Sequence, residues 1–297
     1  MELMKKILVT GGTGFVGRNI AESYLKDKYE LFAPKRSELD CSDDDSVQQY
    51  FSSRSFDVVI HSAIKPGHRN AVDTTDRLYT NSRMMFNLLR QQAHWGKLLN
   101  MGSGAIYDMK HYQPKMKESY FGTYMPADEH GYTKYIFGKL LPNLDAVYDL
   151  RLFGVFGKYE DYAIRFISNA VCKAIFDLPI TLQQNRKFDY LYISDLMPVL
   201  EYFIEHNPKE KAYNVTPDSA VELLEIANIV KRVSGKQIDI SVAREGTGME
   251  YSGDNSLLRS EMKNVAFMPI EASITELYQW YEANKNNLNK QLLLTDK

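Results

Sequence analysis

The fold is indicated by the stretch Lys5-Lys-Ile-Leu-Val-Thr-Gly-Gly-Thr-Gly-Phe-Val-Gly17. Its apolar residues 7–9 suit a parallel strand that is covered on both faces. The glycines that follow have the spacing Gly12-x-Gly14-x-x-Gly17, and an amphipathic segment comes next. This spacing permits a tight turn, close approach of the backbone to a pyrophosphate and close packing of helix on strand. The stretch therefore predicts a dinucleotide site, with the phosphates at the N-terminus of the helix.

Composition excludes several classes of protein. The chain has 297 residues, 44% of them hydrophobic, which is enough core for one large domain or two modest ones. A formal net charge of -2 gives no electrostatic argument for nucleic acid or a membrane surface. Cys41 and Cys172 lack metal-ligand spacing, and no apolar run approaches the roughly 18 residues of a membrane span. We expect a cytoplasmic protein with reduced thiols, no metal site, and neither nucleic acid nor membrane as a partner.

Strand patterns alternate with helix patterns along the chain. We predict strands at residues 29–33, 57–61, 97–101, 146–153 and 188–193, and helices at 43–52 with Ser42 as cap, 76–94, 162–177, 221–234 and 274–284. Such alternation with short connections is typical of an α/β fold with a Rossmann-like doubly wound parallel sheet.

The change of pattern after the fifth strand predicts a second, smaller lobe. We assign residues 1–155 and 184–206 to a dinucleotide-binding Rossmann domain, and 156–183 and 207–285 to a discontinuous α/β substrate-binding lobe. Residues 286–297, which are rich in Asn, Lys and Gln before a Leu-Leu-Leu patch, are expected to be a frayed tail. A ligand belongs in the cleft between the lobes, beyond the carboxyl ends of the strands.

Several motifs resemble those of one family and occur in its order. They are Thr10-Gly-Gly-Thr-Gly-Phe-Val-Gly17, His61-Ser-Ala63, Gly102-Ser-Gly-Ala-Ile-Tyr107, Arg151-Leu-Phe-Gly-Val-Phe-Gly157 and Arg186-Lys-Phe-Asp-Tyr-Leu-Tyr-Ile-Ser-Asp195. From residue 5 to about residue 284 the chain resembles the extended short-chain dehydrogenase/reductases, in their nucleotide-sugar epimerase, dehydratase and reductase branch. The segment Lys35–Asp40 is similar to the corresponding region of GDP-fucose synthases.

The resemblance implies a catalytic set with one departure. Ser103 stands at the strand-end serine, which would hold the carbonyl oxygen, and Lys134 stands at the family's lysine, which would bind the nicotinamide ribose. His130 occupies the position of the catalytic tyrosine, four residues before Lys134 and on the same helix face. Histidine can donate a proton near neutral pH, so His130 is a candidate general acid.

A second register of the catalytic pair stays open. Tyr135-Ile-Phe-Gly-Lys139 is a literal Y-x-x-x-K, but using it moves the helix away from Ser103. We favour His130 and Lys134 over Tyr135 and Lys139. Loss of the activity is the third alternative.

The residues at the end of the second strand indicate whether the protein binds NAD or NADP. An acidic residue there would bind the ribose of NAD, whereas this chain has Lys35 and Arg36 and no acid before Glu38, which favours NADP over NAD. Asp40 is expected near the adenine. The full set of predicted cofactor residues is Gly11, Thr13, Gly14, Phe15, Val16, Gly17, Lys35, Arg36, Asp40, Ser62, Ala63, Ile64, Asn81 and Lys134, with Asn81 matching a family asparagine that supports the site from behind.

The resemblance also narrows the reaction. Gly104-Ala105 replaces the Asp-Glu pair of the family's dehydratases, and Ala105 stands where GDP-fucose synthases have the cysteine used in epimerisation. We therefore expect an NADP-dependent oxidoreductase that reduces a nucleotide-activated 4-keto-6-deoxy sugar in cell-surface polysaccharide synthesis. Ser103, Gly104, Arg186 and Arg259 are the predicted substrate contacts, with Arg165 as a further candidate.

Two other functions remain open at this point. One is an NAD-dependent nucleotide-sugar 4-epimerase, which keeps its cofactor bound. The other is a dinucleotide-binding sensor or scaffold protein that has lost catalysis. The oligomeric state is also open, although the resemblance implies homodimers.

Overall fold

A computed structural model describes residues 4–67 and 75–294. In these residues the strands are β1 Lys6–Thr10, β2 Glu30–Phe32, β3 Phe56–His61, β4 Trp95–Ser103, β5 Val147–Leu152, β6 Gly154–Phe156, β7 Ile180–Asn185, β8 Lys187–Phe188, β9 Tyr190–Tyr192, β10 Ala212–Val215, β11 Val221–Glu222 and β12 Ile240–Thr247. The helices are α1 Phe15–Glu22, α2 Leu25–Lys28, α3 Asp44–Phe51, α4 Arg77–Leu89, α5 Glu129–Leu140, α6 Phe166–Ile175, α7 Leu196–Glu205, α8 Leu223–Ser234, α9 Ser256–Glu261 and α10 Ile270–Ala283.

Six parallel strands form the central sheet. Their order is β10-β5-β4-β3-β1-β2, and every neighbouring pair is parallel. β1 lies between β3 and β2, and its residues Ile7, Leu8 and Val9 are fully buried. The prediction of a doubly wound parallel α/β sheet is therefore confirmed.

Helices cover the sheet on both faces because successive strand residues point to opposite sides. Leu8 packs into a core with buried residues of α3, α4 and α5, among them Val47, Met85 and Phe137. Ile7 belongs to the larger core on the other face, which includes buried residues of α1, α6, α7, α8 and α10. The carboxyl ends of the strands stay uncovered between these layers, and that edge holds the candidate site.

Small sheets and helices build the rest of the molecule. β12 pairs with β7 and β6 with β9, both in parallel, and β11 pairs with β8 in antiparallel. β10 forms an edge of the central sheet, although it lies in the range 207–285 that we predicted for the substrate lobe. The reason is that α7 crosses over and returns the chain parallel to β5.

Several predicted elements differ in detail from those observed. Asp43, not Ser42, caps α3, because its carboxylate accepts a hydrogen bond from the backbone N–H of Ser46 at 3.0 Å. Helix α4 ends at Leu89, before a short 3-10 turn, and the segment predicted as helix 162–177 becomes helical only at Phe166. The predicted strand 188–193 is divided into the end of β8, the strand β9 and the start of a 3-10 turn.

The predicted frayed tail makes two contacts with the rest of the molecule in its described part. The side chain of Leu293 is 1% exposed and belongs to the larger core. The backbone N–H of Asn289 donates to the hydroxyl of Tyr162 at 2.9 Å. Leu292 and Leu294 are exposed, and residues 295–297 lie outside the described residues.

No helix within residues 4–67 and 75–294 combines the length and the apolar character needed to cross a bilayer. In the same residues no group of three or more His, Cys, Asp or Glu side chains is arranged to hold a metal ion. Cys41 and Cys172 are buried thiols.

Candidate active site

A cavity of about 640 Å³ opens at the carboxyl ends of β3 and β4, beside the start of α1. Nine of the predicted site residues line it: Phe15, Val16, Ser62, Ala63, Ile64, Asn81, Ser103, His130 and Lys134. Arg165, the further candidate for a substrate contact, lines it as well. The position agrees with the rule that open parallel sheets bind ligands outside the carboxyl ends of their strands.

The glycine turn fits a dinucleotide. Gly11 has a φ of 71°, and a Cβ there would lie 2.8 Å from the Cα of Ala63. A Cβ on Gly12 would lie 2.7 Å from the carbonyl oxygen of Ala33. Gly14 begins α1 with no side-chain cap, and the first turn of that helix carries no acidic residue. Free N–H groups without a competing negative charge are what a phosphate needs at a helix N-terminus.

Buried polar contacts fix the end of β3 against β1. The hydroxyl of Thr10 lies 2.8 Å from Nδ1 of His61, and the hydroxyl of Ser62 donates to the carbonyl of Thr10 at 2.6 Å. Burial lowers the pKa of His61 to about 3, and the charge of Lys134 adds to this effect. His61 is therefore a neutral wall residue that orients Thr10.

Asn81 holds the segment that follows β3. Its side-chain oxygen accepts from the backbone N–H of Lys65 at 2.8 Å, and its Nδ2 donates to the Lys65 carbonyl at 3.3 Å. Asn81 is itself buried on α4. It can thus fix the backbone beside Ser62, Ala63 and Ile64.

Helix α5 presents His130 and Lys134 to the cavity. Asp128 caps the helix by accepting from the backbone N–H of Gly131 at 2.8 Å, which places His130 in the first turn. Lys134 Nζ donates to the carbonyl oxygen of Met101 on β4 at 3.1 Å. Burial lowers the pKa of Lys134, and the charge of Asp149 acts against that shift.

The charge state of His130 differs from the one that a proton donor needs. Burial lowers its pKa to about 4, and the positive charge of Lys134 contributes in the same direction. The imidazole is neutral at pH 7, so the expected imidazolium donor is disfavoured by its surroundings. Sequence reasoning placed His130 beside Lys134 but did not account for the desolvation there. A neutral imidazole retains one N–H with which to donate a hydrogen bond.

The alternative pair, Tyr135 and Lys139, lies outside the cavity lining. The ring of Tyr135 packs 5.1 Å from that of Phe121, measured between centroids. Lys139 is exposed, with its Nζ 5.6 Å from the Tyr135 ring. Helix α5 turns these two residues away from the face that carries His130 and Lys134.

The basic pair after β2 lies at a distance from the cavity lining. The side chain of Arg36 is 79% exposed, and its Nε lies 2.9 Å from a carboxylate oxygen of Asp40. The other oxygen of Asp40 accepts from the hydroxyl of Ser42 at 2.6 Å. The contact between Gly12 and Ala33 places this loop next to the glycine turn.

Three of the predicted substrate contacts lie elsewhere. Gly104 is buried behind the cavity, where a Cβ would lie 2.5 Å from the hydroxyl oxygen of Tyr251. Arg259 forms two contacts with Asp218, at 2.9 and 2.6 Å, and a third with the carbonyl of Val265. Arg186 is also absent from the lining. Arg259 therefore forms an ion pair with Asp218, 41 positions away in the sequence. The spacing of residues in the sequence could not predict this pair.

Glu160 and Tyr251 are two titratable residues of the cavity that were not predicted from the sequence. Burial raises the pKa of the Glu160 carboxyl to about 8, while a hydrogen bond from Ser168 opposes the shift. Both residues lie in irregular segments, so no periodic pattern marked them. The presence of an acid three positions after the 151–157 motif was the one available signal for Glu160.

The sheet, the glycine turn and the cavity together define an enzyme class, the NAD(P)-dependent oxidoreductases with an extended Rossmann fold. A family model described as "NAD dependent epimerase/dehydratase family" matches residues 7–216, and the chain belongs to that family. The expected resemblance is therefore confirmed.

Relatives of known name are similar over most of the chain. GDP-L-fucose synthase from Sinorhizobium fredii is 27% identical over 257 residues, covering 80% of this chain and 82% of that protein. GDP-L-colitose synthase from Yersinia pseudotuberculosis is 23% identical, covering 95% of this chain and 99% of that protein. Among solved structures, the NADP-bound GDP-mannoheptose C4 reductase from Campylobacter jejuni has a TM-score of 0.80 at 18% identity, covering 95% and 99% of the two chains.

Proposed function

We propose that this protein is an NADP-dependent reductase of a nucleotide-activated 4-keto-6-deoxy sugar. The observation that carries the proposal is that Ser103, His130 and Lys134 line one cavity together with Phe15 and Val16 of the helix after the glycine turn. A hydroxyl that can donate to a ketone oxygen, a lysine, and the helix that follows the glycine turn thus line the same cavity.

The relatives support both the substrate class and the cofactor. The fucose and colitose synthases act in the chemistry of GDP-linked sugars, as their names state, and the structurally similar C4 reductase binds NADP. GDP is therefore the first nucleotide to test. The exposed guanidinium of Arg36 supports NADP, because it can exchange Asp40 for the 2′-phosphate.

The proposed cofactor contacts come from the start of α1, the segment after β3, α5 and the loop after β2. The backbone N–H groups of Phe15 and Val16 would bind the diphosphate, Ala63 and Ile64 would line the ribose side, and Lys134 would reach the nicotinamide ribose. When bound, NADPH supplies the hydride. Lys35 and Arg36 bind the adenosine end.

The residues of the chain have separate roles around the ketone. Ser103 donates its hydroxyl to the ketone oxygen and so stabilises the negative charge that develops there. Lys134 stays in place through its bond to the Met101 carbonyl. Neutral His130 donates an N–H hydrogen bond and orients the sugar. The predicted lobe, residues 156–183 and 207–285, supplies Arg165 for the substrate diphosphate.

The test is NADPH oxidation by the purified protein with a panel of nucleotide-linked 4-keto-6-deoxy sugars, GDP-linked first, followed by identification of the alcohol. We expect turnover with NADPH and much less with NADH. Protein that is purified with tightly bound NAD and interconverts C4 epimers would identify an epimerase instead. Cofactor binding without turnover on the whole panel would identify a sensor or scaffold.

A further inference from the structure

Tyr251 brings a phenol hydroxyl to the catalytic serine. Its side chain lines the cavity together with Ser103. A Cβ on Gly104, the residue after Ser103, would lie 2.5 Å from the Tyr251 hydroxyl oxygen. The lack of a side chain at Gly104 thus makes room for this hydroxyl at the end of β4.

The ring of Tyr251 is fixed by three aromatic neighbours. It is stacked on Tyr112 with 5.0 Å between centroids, and it contacts Phe153 at 5.3 Å and Phe188 at 5.7 Å. The backbone is held as well, because the N–H of Tyr251 donates to the carbonyl of Lys187 at 2.9 Å. The ring therefore has little freedom, and its hydroxyl is held at the cavity wall beside Ser103.

We propose that Tyr251 is the residue that gives the proton to the substrate ketone, taking the part that sequence reasoning gave to His130. This inference rests on the proposed reductase function. As the ketone carbon gains the hydride, the Tyr251 O–H bond breaks and its proton goes to the ketone oxygen. The ketone is reduced to an alcohol, NADPH is oxidised, and the phenolate recovers a proton from water after the product leaves.

The charges around Tyr251 are compatible with this role. Burial raises its pKa, and the charge of Asp189 adds to the shift, so the hydroxyl keeps its proton in the resting protein. The positive charge of Arg165 acts in the opposite direction and favours the phenolate. Ser103 also accepts a hydrogen bond from the backbone N–H of Ala105 at 3.1 Å, which fixes its hydroxyl oxygen.

Two phenylalanine variants form the test. Tyr251→Phe removes the hydroxyl at Ser103 and keeps the ring, while Tyr112→Phe removes the hydroxyl of the stacked neighbour, which donates to the carbonyl of Ser252 at 3.2 Å instead. We expect kcat for keto-sugar reduction to fall by about 10²- to 10⁴-fold in Y251F, the usual contribution of a general acid, and to change by less than about threefold in Y112F. NADPH affinity, measured by cofactor fluorescence, should be unchanged in both.

A spectroscopic measurement tests the contact without turnover. In protein labelled with ¹³C at the tyrosine Cζ, the resonance that disappears in Y251F belongs to Tyr251. We expect that resonance to shift in Ser103→Ala, because a neighbouring hydroxyl of the cavity wall is removed, and to stay in place in Y112F apart from the ring-current change.

Three results would overturn the inference. The first is Y251F turning over at the wild-type rate while His130→Phe is inactive. The second is a Tyr251 resonance that does not respond to Ser103→Ala. The third is a wild-type protein that reduces no member of the keto-sugar panel, which refutes the proposed function itself. Wild-type turnover with a fully active Y251F refutes the proton role alone.

Discussion

Arg77, the first residue of α4, forms an ion pair with Glu129, the first residue of α5, with 2.9 Å between Nη2 and Oε2. The other oxygen of Glu129 accepts from the backbone N–H of Leu78 at 3.2 Å. That backbone bond is the main cause of the lowered pKa of Glu129. The pair therefore fixes the turn that carries His130, the next residue in the chain.

Removing the ion pair between Arg77 and Glu129 should weaken substrate binding more than it lowers the stability of the fold. In Glu129→Ala we expect KM for the keto sugar to rise about tenfold, because His130 loses its fixed position and 1.4 kcal/mol of binding is a factor of ten. Steady-state kinetics measure the change. The control is Arg90→Ala, which breaks a surface pair with Asp44, 2.6 Å between Nη1 and Oδ1, away from the cavity. An equal rise of KM in both variants would argue against the role of Glu129.

Cofactor preference should depend on Arg36. In Arg36→Ala we expect the affinity for NADPH to fall by about tenfold or more and that for NADH to stay the same, because only NADPH carries the 2′-phosphate. Fluorescence titration with both cofactors measures the ratio. Asp40→Asn removes the negative charge that pairs with Arg36 and should strengthen NADPH binding. Equal losses for the two cofactors in R36A would assign the guanidinium to the loop structure instead.

Of the six strands in the central sheet, five were identified in the sequence by their apolar runs, and β10 was missed. β10 contains Asn214, which is fully buried and satisfied by polar partners, since its side chain accepts from the Tyr107 hydroxyl at 2.8 Å and donates to the Met116 carbonyl at 2.8 Å. A polar residue in so short a strand removes the apolar signal. The partners lie about 100 positions away and could not be inferred from a pattern.

The residues of the candidate site also include some that could be predicted from the sequence and some that could not. His130 and Lys134 were identified by the family resemblance, helical spacing placed them on one face of α5, and the glycine turn was predicted from its own motif. Tyr251 and Arg259 depend on contacts between distant segments, which bring Tyr251 to the cavity and bind Arg259 to Asp218. The neutral state of His130 arises from burial, a property of the folded molecule.

Two alanine variants can separate the effect of a Cβ in the cofactor turn from the effect of backbone strain. Gly11 and Gly235 have similar φ values, 71° and 66°, so alanine at either costs about 1–2 kcal/mol of strain. A Cβ on Gly11 meets Ala63, whereas one on Gly235 has nothing within 4 Å. We expect about tenfold weaker NADPH binding in Gly11→Ala and unchanged binding in Gly235→Ala, by fluorescence titration. The same loss of binding in both would show a general effect of strain.

A buried ion pair beneath the site should be essential for stability. Arg151 and Asp149 are each 2% exposed, with 3.1 Å between Nε and Oδ2, and Arg151 also donates to Tyr107 at 2.9 Å. Arg151→Ala leaves the buried carboxylate of Asp149 without the guanidinium and with only the amide of Asn100 at 2.7 Å, so we expect the free energy of unfolding to fall by about 3–5 kcal/mol in urea titrations. Arg232→Ala, which removes an exposed pair with Glu271, should cost less than about 1 kcal/mol. A loss of unfolding free energy in Arg151→Ala as small as that in Arg232→Ala would mean that the buried pair is dispensable.

Glu160 should make the protein less stable as the pH rises. Its carboxyl has an ordinary pKa of 4.5 and a folded value of about 8, because burial disfavours the charged form. Between these two values the unfolded chain binds fewer protons than the folded one, so the free energy of unfolding falls from pH 4.5 to pH 8. Glu160→Gln cannot ionise and should reduce this fall. Urea titrations at several pH values give the two curves, and Glu225→Gln on α8, whose carboxyl carries no comparable burial, is the control. Parallel curves for wild type and E160Q would contradict a raised pKa at Glu160.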